Sequence, residues 1–542
     1  MEFHPDREVT LTELEGLARG ELTLWLHPEA WQAVSDGHDF VTRLQAQNRR
    51  VYGLTTGFGP LADTRVAADR DGQHQKNLIY HLATGTGEPL ERTQARAVMA
   101  TRILSLARGH SGIRPEALEL LVTCLNRDLV PAIPARGTVG ASGDLTPLAH
   151  LALAVMGEGQ MLGDAGPMDA AEALRQAGLA PLAPEGRDAL AMVNGTAAMT
   201  GIAASTAPAA ERSLELAAVM ATTNAEIFGA HAGFLNAGLG RVRPHPGQAW
   251  AHDTLNRMAA DSGRLQPDHQ PPPPLEGDPA NGSGVLAGQS LPQDPYTIRC
   301  APQLLGAVRD SLDFHGQTAL RELQSVTDNP VLSPEEDAAW HGGNFYGQHI
   351  AFASDALANA LIKLAVHAER TVARLTDPEQ NGGLPAFLQG DRTGLQSGFM
   401  GAQVTASALV AEMRTLATPA SIQSIPTNAN NQDVVTMGTI GARQTAELLR
   451  LLSEVQAIEA LVLAQAMDLT HEAKGGAFSS AANRLHALVR RHVPPLREDR
   501  PLSNEIQQMA ALLRDPARRA DLLDSGESPA TTTSEAEPCV MP

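Results

Sequence analysis

The sequence predicts a mainly α-helical (all-α) protein that is long enough to form two packed regions. Through most of the 542 residues, apolar side chains recur at three- and four-residue intervals, which places them on one face of a helix. Aromatic residues make up only 4% of the chain, and the alternating Val, Ile, Thr and Tyr segments typical of strands are scarce. With 43% hydrophobic residues, the chain exceeds the roughly 250 to 300 residues at which one core usually stops growing.

The helical patterns lengthen towards the C-terminal half of the chain. Two shorter patterns, Gln94 to Arg108 and Pro115 to Leu129, are rich in Ala, Leu, Glu and Arg, which favour helices. Three longer patterns follow, and helices of such length usually pack side by side in a bundle. They begin near Gly195, near Gly347 (ending at Leu375) and near Gln432 (ending at about Leu469, with interruptions at Gly438 and Gly441).

We predict three parts along the chain. Residues 1–205 form an N-terminal domain, residues 206–520 form the long-helix bundle, and residues 521–542 have the Ser-, Thr-, Glu- and Pro-rich composition of a disordered acidic tail. The loop at 266–288 contains four consecutive prolines and is a candidate surface lid. Other loops rich in Gly, Pro, Asn and Thr are expected at 53–60, 131–147, 342–347 and 421–433.

Composition excludes several classes of protein. The net charge is -20 and no dense run of Lys or Arg occurs, so a nucleic-acid or anionic-membrane partner is not expected. Three widely spaced cysteines form neither a metal motif nor a disulfide framework, and the N-terminus lacks the features of a signal peptide, so we expect a cytoplasmic protein. The longest uncharged apolar stretch, Ala189 to Ala210, is rich in Ala and interrupted by polar residues, which favours a buried helix over a membrane span.

The segment RGTVGASGDLTPLAH, from Arg136 to His150, places a serine among glycines. GASGD differs from the G-x-S-x-G of a nucleophile elbow, and no His or Asp is spaced to activate this serine. Glycines at 137, 140 and 143 permit a tight turn that can press the Gly143 nitrogen onto the Ala141 carbonyl carbon, the contact that a backbone cyclisation needs. The structural alternative is a helix N-terminus with Asp144 or Ser142 as its cap and Pro147 in its first turn.

This segment resembles, over its whole length, the prosthetic-group segment of the histidine, phenylalanine and tyrosine ammonia-lyases, and the resemblance is closest to bacterial tyrosine ammonia-lyases. It implies an aspartase/fumarase-like helical architecture, and 4-methylideneimidazol-5-one (MIO) formed from Ala141, Ser142 and Gly143 without an external cofactor or metal. It also implies a homotetramer whose sites borrow residues from three subunits. The resemblance runs from about Val51 to Leu502 through VYGLTTGFGP, NLIYHLATG, MVNGT, QDPYTIRCAPQ, SVTDNP, HGGNFYGQH, GFMGAQVTA and TNANNQDVV.

The resemblance assigns a catalytic base and a polar partner for the electrophile. Tyr52 matches the tyrosine that removes a proton from Cβ, and because a free phenol has a pKa near 10, its surroundings must stabilise the phenolate. Asn194 matches the asparagine that hydrogen-bonds the prosthetic-group carbonyl or the substrate amine. Taken alone, Tyr52 fits a half-buried packing residue and Asn194 fits a helix N-cap.

Arg299 matches the arginine that clamps the substrate carboxylate, a task that suits a planar guanidinium. Tyr296 would share its face if this segment is helical, and in relatives it lies beside the prosthetic group while Gln293 contacts that group or the substrate. The structural alternative for Arg299 is a solvated surface charge. The resemblance further places Gly59, Leu145, Phe345, Asn428, Asn431 and Gln432 around the substrate, with Tyr346 and Asn430 as additional polar contacts.

The pair His81-Leu82 indicates the substrate, because this pair resembles tyrosine ammonia-lyases. A His can hydrogen-bond a phenol hydroxyl, and a Leu can fill the flat side of the ring. Histidine ammonia-lyases carry the His one place later and an acidic residue at the position of Gln432. We therefore expect the non-oxidative deamination of an aromatic amino acid, L-tyrosine to trans-p-coumarate and ammonia, with phenylalanine as a slower substrate. The structural alternative for His81 is an interior histidine bonded to backbone.

Three other functions fit the same sequence. A tyrosine or phenylalanine 2,3-aminomutase would use the same electrophile and return the ammonia to Cβ, and a histidine ammonia-lyase would act on a different ring. A helical scaffold that has lost its chemistry is the alternative from another class. The presence of Tyr52, Ser142, Asn194 and Arg299 together disfavours the scaffold.

Overall fold

The computed structural model describes residues 1–67, 70–268, 293–390, 394–473 and 476–518, together with Leu522. The chain is mainly helical within these residues, as predicted. Its helices are α1 (Leu11–Arg19), α2 (Pro28–Ala46), α3 (Asp71–Leu82), α4 (Arg92–Leu106), α5 (Pro115–Asn126), α6 (Leu145–Val155), α7 (Ala170–Gln176), α8 (Asp188–Val193), α9 (Ala197–Phe228), α10 (Ala237–Arg241), α11 (Pro246–Met258), α12 (Tyr296–Arg299), α13 (Ala301–Leu323), α14 (Gln348–Thr376), α15 (Met400–Thr415), α16 (Gly438–Ala473), α17 (Ser480–His492) and α18 (Ser503–Arg514).

The strands are short and form two-stranded pairs. β1 (Glu2–Phe3) and β2 (Trp25–Leu26) are parallel, whereas the other three pairs are antiparallel. These pairs are β3 (Thr86–Pro89) with β4 (Pro134–Arg136), β5 (Gln160–Gly163) with β6 (Gly166–Asp169), and β7 (Val331–Ser333) with β8 (Ala338–Trp340).

The predicted helices are confirmed with one correction. α4, α5 and α14 begin and end within a few residues of the apolar patterns, and α9 begins two residues after Gly195. The start predicted near Gln432 was wrong, because α16 begins at Gly438. Residues 427–432 close a hairpin loop instead, and Met437 takes a left-handed conformation (φ 53°) that a helix excludes.

The three longest helices, α9, α14 and α16, run parallel and start at the same end of the bundle. The Thr445 hydroxyl donates to the Ser354 carbonyl (2.9 Å), which pairs the early turns of α16 and α14. The Gln456 amide donates to the Ser213 carbonyl (2.8 Å), which pairs the middle of α16 with the middle of α9. α13 runs the other way, since Glu322 near its C-terminal end accepts a hydrogen bond from Thr196 at the start of α9 (2.7 Å).

Two large hydrophobic cores are present, and α9 passes through both. Its first residues, up to Ala204, pack in the core built mainly from α1 to α8. From Ala210 onwards it packs in the core of α11, α13, α14, α16 and α17. The domain boundary predicted at residue 205 therefore lies inside a continuous helix, and the division itself stays a prediction. The candidate lid beyond residue 268 and the tail, apart from Leu522, lie outside the described residues.

One helix in the described residues, α14, is long and apolar enough to cross a membrane by length and composition. Its most apolar window is 61% buried within the molecule. α14 packs along α13, α15 and α16, so its apolar surface is accounted for by the bundle core.

Candidate active site

The Ala141-Ser142-Gly143 segment forms a tight turn against the strand of backbone that precedes α9. Gly143 and Gly195 pair as a short parallel bridge, in which the Asp144 amide donates to the Gly195 carbonyl (2.7 Å). Gly143 has φ +71°, and a Cβ there would overlap the Gly195 carbonyl. Glycine is therefore required at position 143 both by its conformation and by the lack of space. Ala141 packs beside Val435 and Met437, which precede α16.

Asp144 fastens this turn to two helices. Its buried carboxylate accepts the Met199 amide (2.8 Å) in the first turn of α9 and the hydroxyl of Thr439 in the first turn of α16. Burial raises the pKa of the Asp144 carboxyl to about 6, although these hydrogen bonds oppose that change. Asp144 occupies the predicted N-cap position of α6, but its side chain makes no capping bond there and binds α9 and α16 instead.

Four helices begin next to one another at this turn. α6 follows it directly, and α9 and α16 are joined to it through Asp144. α14 joins them because Gly347, just before its first residue, packs against Thr196 and Met199. Each helix N-terminus carries partial positive charge, so the turn lies in a field that favours negative charge.

Asn194 ends α8 and lies beside the turn, since the following Gly195 amide donates to the Ser142 carbonyl (3.4 Å). The predicted alternative of an N-cap was wrong, because the N-cap position of α9 is Thr196. The Asn194 side-chain NH2 donates to the Asp328 carboxylate (2.9 Å) and to the Asn329 carbonyl (3.0 Å). Both amide hydrogens are taken, so the side-chain carbonyl oxygen is the group left for a ligand.

Tyr52 is half-buried, and its hydroxyl oxygen accepts a hydrogen bond from the Gly59 amide (2.9 Å). Donation from a backbone amide stabilises negative charge on that oxygen, which is what a phenolate base needs. The ring packs edge-on against Phe58 with 6.3 Å between centroids, and Phe58 stacks on His74 at 4.3 Å. Gly53 holds this loop against Leu190 of α8, the helix that carries Asn194.

The hairpin at 427–432 adds the polar residues predicted near the substrate. Thr427 and Gln432 close it with two backbone hydrogen bonds, and the Thr427 hydroxyl donates to the Gln432 side-chain carbonyl (2.8 Å). Within it, Asn428, Ala429 and Asn430 all have left-handed φ values of 54° to 62°. Three successive left-handed residues other than glycine are unusual. In this conformation the Asn428 amide lies against Gly59. Asn431 is exposed on the same hairpin.

His81 and Leu82 are the last two residues of α3 and lie close in sequence to Gly85, which contacts the segment before the turn. Gly85, three residues further on, packs against Gly137. The His81 Nδ1 atom lies 3.1 Å from the Asn77 carbonyl, which can only accept, so Nδ1 carries the hydrogen. With the hydrogen on Nδ1, Nε2 can act as an acceptor, and His81 is exposed. The predicted bond to backbone is present, but the alternative of an interior histidine was wrong, because His81 is exposed.

Phe345 is half-buried in the loop before α14, two residues from the contact of Gly347 with Thr196. Tyr346 lies near Asp433, the residue that follows the hairpin. Burial, and to a smaller extent the Asp433 carboxylate, raise the pKa of the Tyr346 phenol. Leu145 is half-buried in the first turn of α6. The turn itself contacts Gly195, directly after Asn194, and packs beside Val435 and Met437. Tyr52, Gly59 and Asn428 are joined to one another by separate contacts.

Gln293, Tyr296 and Arg299 are not brought to the turn. The Thr297 carbonyl lies 2.8 Å from the His367 ring nitrogen, about twenty residues along α14 from the end at Gly347. At 1.5 Å per residue, this places α12 roughly 30 Å from the turn. The prediction that Tyr296 and Arg299 share a helical face is confirmed, because the Arg299 guanidinium lies 4.6 Å from the centroid of the Tyr296 ring.

The surface around α12 has polar atoms without partners. Tyr296 is 70% exposed, which is unusual for a large aromatic side chain. Among the described residues, the buried atoms Arg299 Nε, Thr297 Oγ1 and Gln303 Oε1 have no hydrogen-bond partner. Buried polar atoms are normally paired, so these three atoms are exceptions.

Sequence reasoning missed the buried residues that position the site residues through hydrogen bonds. Asp328 and Arg187 form a fully buried ion pair (3.0 Å) beneath Asn194, and Thr439 and Thr436 fasten the start of α16 to the turn. The motif SVTDNP contained Asp328, but nothing in a linear sequence indicated its contact with a residue 134 positions earlier.

Comparison with known proteins agrees with this geometry. The aromatic amino acid lyase family matches residues 9–491. The chain is 45% identical to a tyrosine ammonia-lyase of Cereibacter sphaeroides, over 94% of this chain and 96% of that one. It is 39% identical to a histidine ammonia-lyase of Symbiobacterium thermophilum, over 93% and 95%. The solved tyrosine aminomutase of Streptomyces globisporus superposes with a TM-score of 0.88 at 35% identity, covering 95% and 96%.

Because its relatives are ammonia-lyases, the chain is a carbon–nitrogen lyase, and its fold is mainly helical. The chain belongs to the aromatic amino acid lyase family.

Proposed function

We propose that this protein is a tyrosine ammonia-lyase that converts L-tyrosine to trans-p-coumarate and ammonia, with phenylalanine as a slower substrate. The observation that carries the substrate assignment is the contact of His81 Nδ1 with the Asn77 carbonyl (3.1 Å). A carbonyl can only accept, so the hydrogen lies on Nδ1, and Nε2 can accept a hydrogen bond from a phenol hydroxyl. The neutral amide at Gln432 supports the same choice, because it offers no countercharge to an imidazolium substrate.

The residues of the turn fit the prosthetic group MIO. Cyclisation needs a turn without a side chain at position 143. The close approach of Gly195 leaves no space for a side chain there. Ala141, Ser142 and Gly143 would form the group, Asp144 would hold it in place, and four helix N-termini would stabilise negative charge on it. When formed, this group supplies an electron-poor methylidene carbon that makes the substrate's amine a better leaving group, either by bonding the amine or by bonding the ring.

The residues of the chain account for the proton and the charges. The Tyr52 oxygen takes a proton from Cβ, a carbon–carbon double bond forms between Cα and Cβ, and the carbon–nitrogen bond breaks to release ammonia. The Gly59 amide donates a hydrogen bond to that oxygen and orients it. The Asn194 carbonyl oxygen accepts from the amine, and Arg299 grips the carboxylate.

Arg299 can take that role only from another subunit, since it lies roughly 30 Å from the turn of its own chain. We therefore propose a homotetramer in which the surface around Tyr296 and Arg299 completes the site of a neighbour. The exposed Tyr296 supports that assembly, because a large aromatic side chain is seldom left in contact with solvent.

A tyrosine 2,3-aminomutase is the second candidate, because a solved aminomutase superposes on nearly the whole chain. The two reactions share the elimination and differ in whether the ammonia returns to Cβ before the site opens. Products therefore separate them, since the aminomutase yields a β-amino acid.

The experiment is an assay of the purified protein with tyrosine, phenylalanine and histidine side by side, with Ser142→Ala as the inactive variant and Ser205→Ala as its matched control. We expect coumarate from tyrosine, no turnover by Ser142→Ala with the fold and assembly unchanged, and normal turnover by Ser205→Ala, whose hydroxyl donates to the Ile202 carbonyl within its own helix. The intact mass of the active protein should be lower than its sequence mass by two waters, whereas Ser142→Ala should have its full sequence mass. Full mass in an active protein, or activity in Ser142→Ala, would overturn the mechanism.

A further inference from the structure

We propose that Asp328 is a positioning residue that holds the Asn194 amide with its carbonyl oxygen towards the substrate, so that the site recognises the ammonium group of the amino acid. This inference rests on the proposed function and adds to it a residue that contacts neither the substrate nor the turn. It explains how the site distinguishes an amino acid from its deaminated product.

The orientation of Asn194 follows from its two partners. An amide side chain can be turned over with little change in shape, so its neighbours decide which end faces a ligand. Here both neighbours, the Asp328 carboxylate (2.9 Å) and the Asn329 carbonyl (3.0 Å), can only accept. The NH2 group must therefore point at them, and the carbonyl oxygen must point away.

Asp328 is itself held rigidly. Its two carboxylate oxygens receive the Arg187 guanidinium through both terminal nitrogens (3.0 and 3.1 Å), and Oδ1 also receives the Asn329 amide (2.7 Å). Arg187 donates further to the carbonyls of Pro330 (2.9 Å) and Ser111. Arg187 and Asp328 are fully shielded from solvent. A bidentate pair of this kind fixes direction as well as charge.

An amide oxygen at the site accepts from an ammonium and has nothing to donate to an anion. It should therefore strengthen binding of the amino acid and leave binding of coumarate, which has no amine, almost unchanged. A network that served only to stabilise the fold would affect both ligands alike. The ratio of the two affinities is thus the quantity that separates the roles.

The chain offers a matched control in Asp188. Its carboxylate is also completely buried and paired with an arginine, Arg114 (2.6 Å), and it lies on α8, the helix that ends at Asn194. It accepts from the Arg114 and Glu185 amides as well, but it makes no hydrogen bond to Asn194 in the described part of the chain. Asp188→Asn removes a similar buried charge without turning the Asn194 amide.

The test compares Asp328→Asn with Asp188→Asn in the full-length enzyme, after wild-type turnover of tyrosine has been established. For Asp328→Asn we expect KM for tyrosine to rise about tenfold or more, with the inhibition constant of p-coumarate within about twofold of wild type. For Asp188→Asn the ratio of these two constants should stay at the wild-type value. Arg187→Lys, which keeps the charge but cannot grip both oxygens, should act in the same direction and serves if Asp328→Asn does not fold.

Equal weakening of tyrosine and coumarate in Asp328→Asn would overturn the inference, as would a changed ratio in Asp188→Asn. In the Asn194→Ala background, Asp328→Asn should have no further effect on KM, and an additive effect would contradict action through Asn194. A wild-type protein without activity on tyrosine would instead overturn the proposed function. The two failures are therefore distinguishable.

Discussion

At the scale of single residues, two side chains in this site have their hydrogen-bonding polarity set by partners outside it. The Asn77 carbonyl makes His81 Nδ1 a donor and leaves Nε2 as an acceptor. Asp328 and the Asn329 carbonyl take the hydrogens of Asn194 and leave its oxygen. In both cases the residue type permits either polarity, and a neighbour chooses between them.

His81→Phe should shift the preference of the enzyme from tyrosine towards phenylalanine. The phenol hydroxyl of tyrosine would face an apolar ring without an acceptor, and a polar group left unpaired costs about 1 to 3 kcal/mol. The ratio of kcat/KM for tyrosine to kcat/KM for phenylalanine should fall by about tenfold or more. Steady-state kinetics with both substrates measure it.

Tyr80→Phe is the control for this variant, because Tyr80 is the preceding residue on α3 but its hydroxyl donates to Glu158. The ratio should not move in this control. An unchanged ratio in His81→Phe would remove the argument for tyrosine as the preferred substrate.

At the scale of elements, α16 carries a carboxyl group into the interior of the bundle. Burial raises the pKa of Glu459 to about 8 from 4.5, and a hydrogen bond with Thr371 of α14 opposes this only in part. The group is therefore neutral in the folded protein at neutral pH and charged in the unfolded chain. Its contribution to stability is complete below pH 4.5 and is lost as the pH rises through about 8.

Glu459→Gln should make the free energy of unfolding less dependent on pH. A glutamine keeps the shape and can hydrogen-bond Thr371, but it has no proton to lose. Since one pKa unit corresponds to about 1.4 kcal/mol, the variant should gain roughly 3 kcal/mol relative to wild type between pH 5 and pH 8. Denaturant unfolding at the two pH values, at one protein concentration, measures this difference.

Glu447→Gln on the same helix is the matched control, since Glu447 is half-exposed and paired with Arg450. It should show no such gain. Parallel pH profiles for wild type and Glu459→Gln would show that Glu459 is not the group responsible.

At the scale of the whole molecule, the distance between the turn and Arg299 requires sites that span subunits. Ser142→Ala and Arg299→Ala should each be inactive alone, but tetramers that mix the two variants should recover activity. A site is intact when its turn comes from the Arg299→Ala chain and its clamp from the Ser142→Ala chain. With equal mixing this holds for about one quarter of sites.

Co-expression with two different affinity tags, purification of the mixed assembly and assay with tyrosine test this prediction. The control is a mixture of the two variants that were purified separately and did not exchange subunits. Mixed tetramers without activity would indicate that each chain forms its site alone.

Much of the fold and of the turn was predictable from the sequence because the signals are local. Apolar spacing predicted α4, α5 and α14, and the start of α9, to within a few residues, since helices depend on contacts three and four residues apart. The glycines at 140 and 143 predicted a tight turn because their left-handed conformations are open mainly to glycine. The residues Ala141, Ser142 and Gly143 are also adjacent in sequence, so the possibility of a backbone cyclisation could be predicted from them as well.

Tertiary structure alone decided the features that depend on residues far apart in the chain. α16 starts at Gly438 and not near Gln432, because residues 427–432 form a hairpin and Met437 takes a left-handed conformation. Asp144 caps α9 and not its own helix, and Asp328 turns the amide of Asn194. The sequence determined which groups were available, whereas the packing of distant segments determined which way each group faces, because a hydrogen-bond partner is chosen by proximity in space.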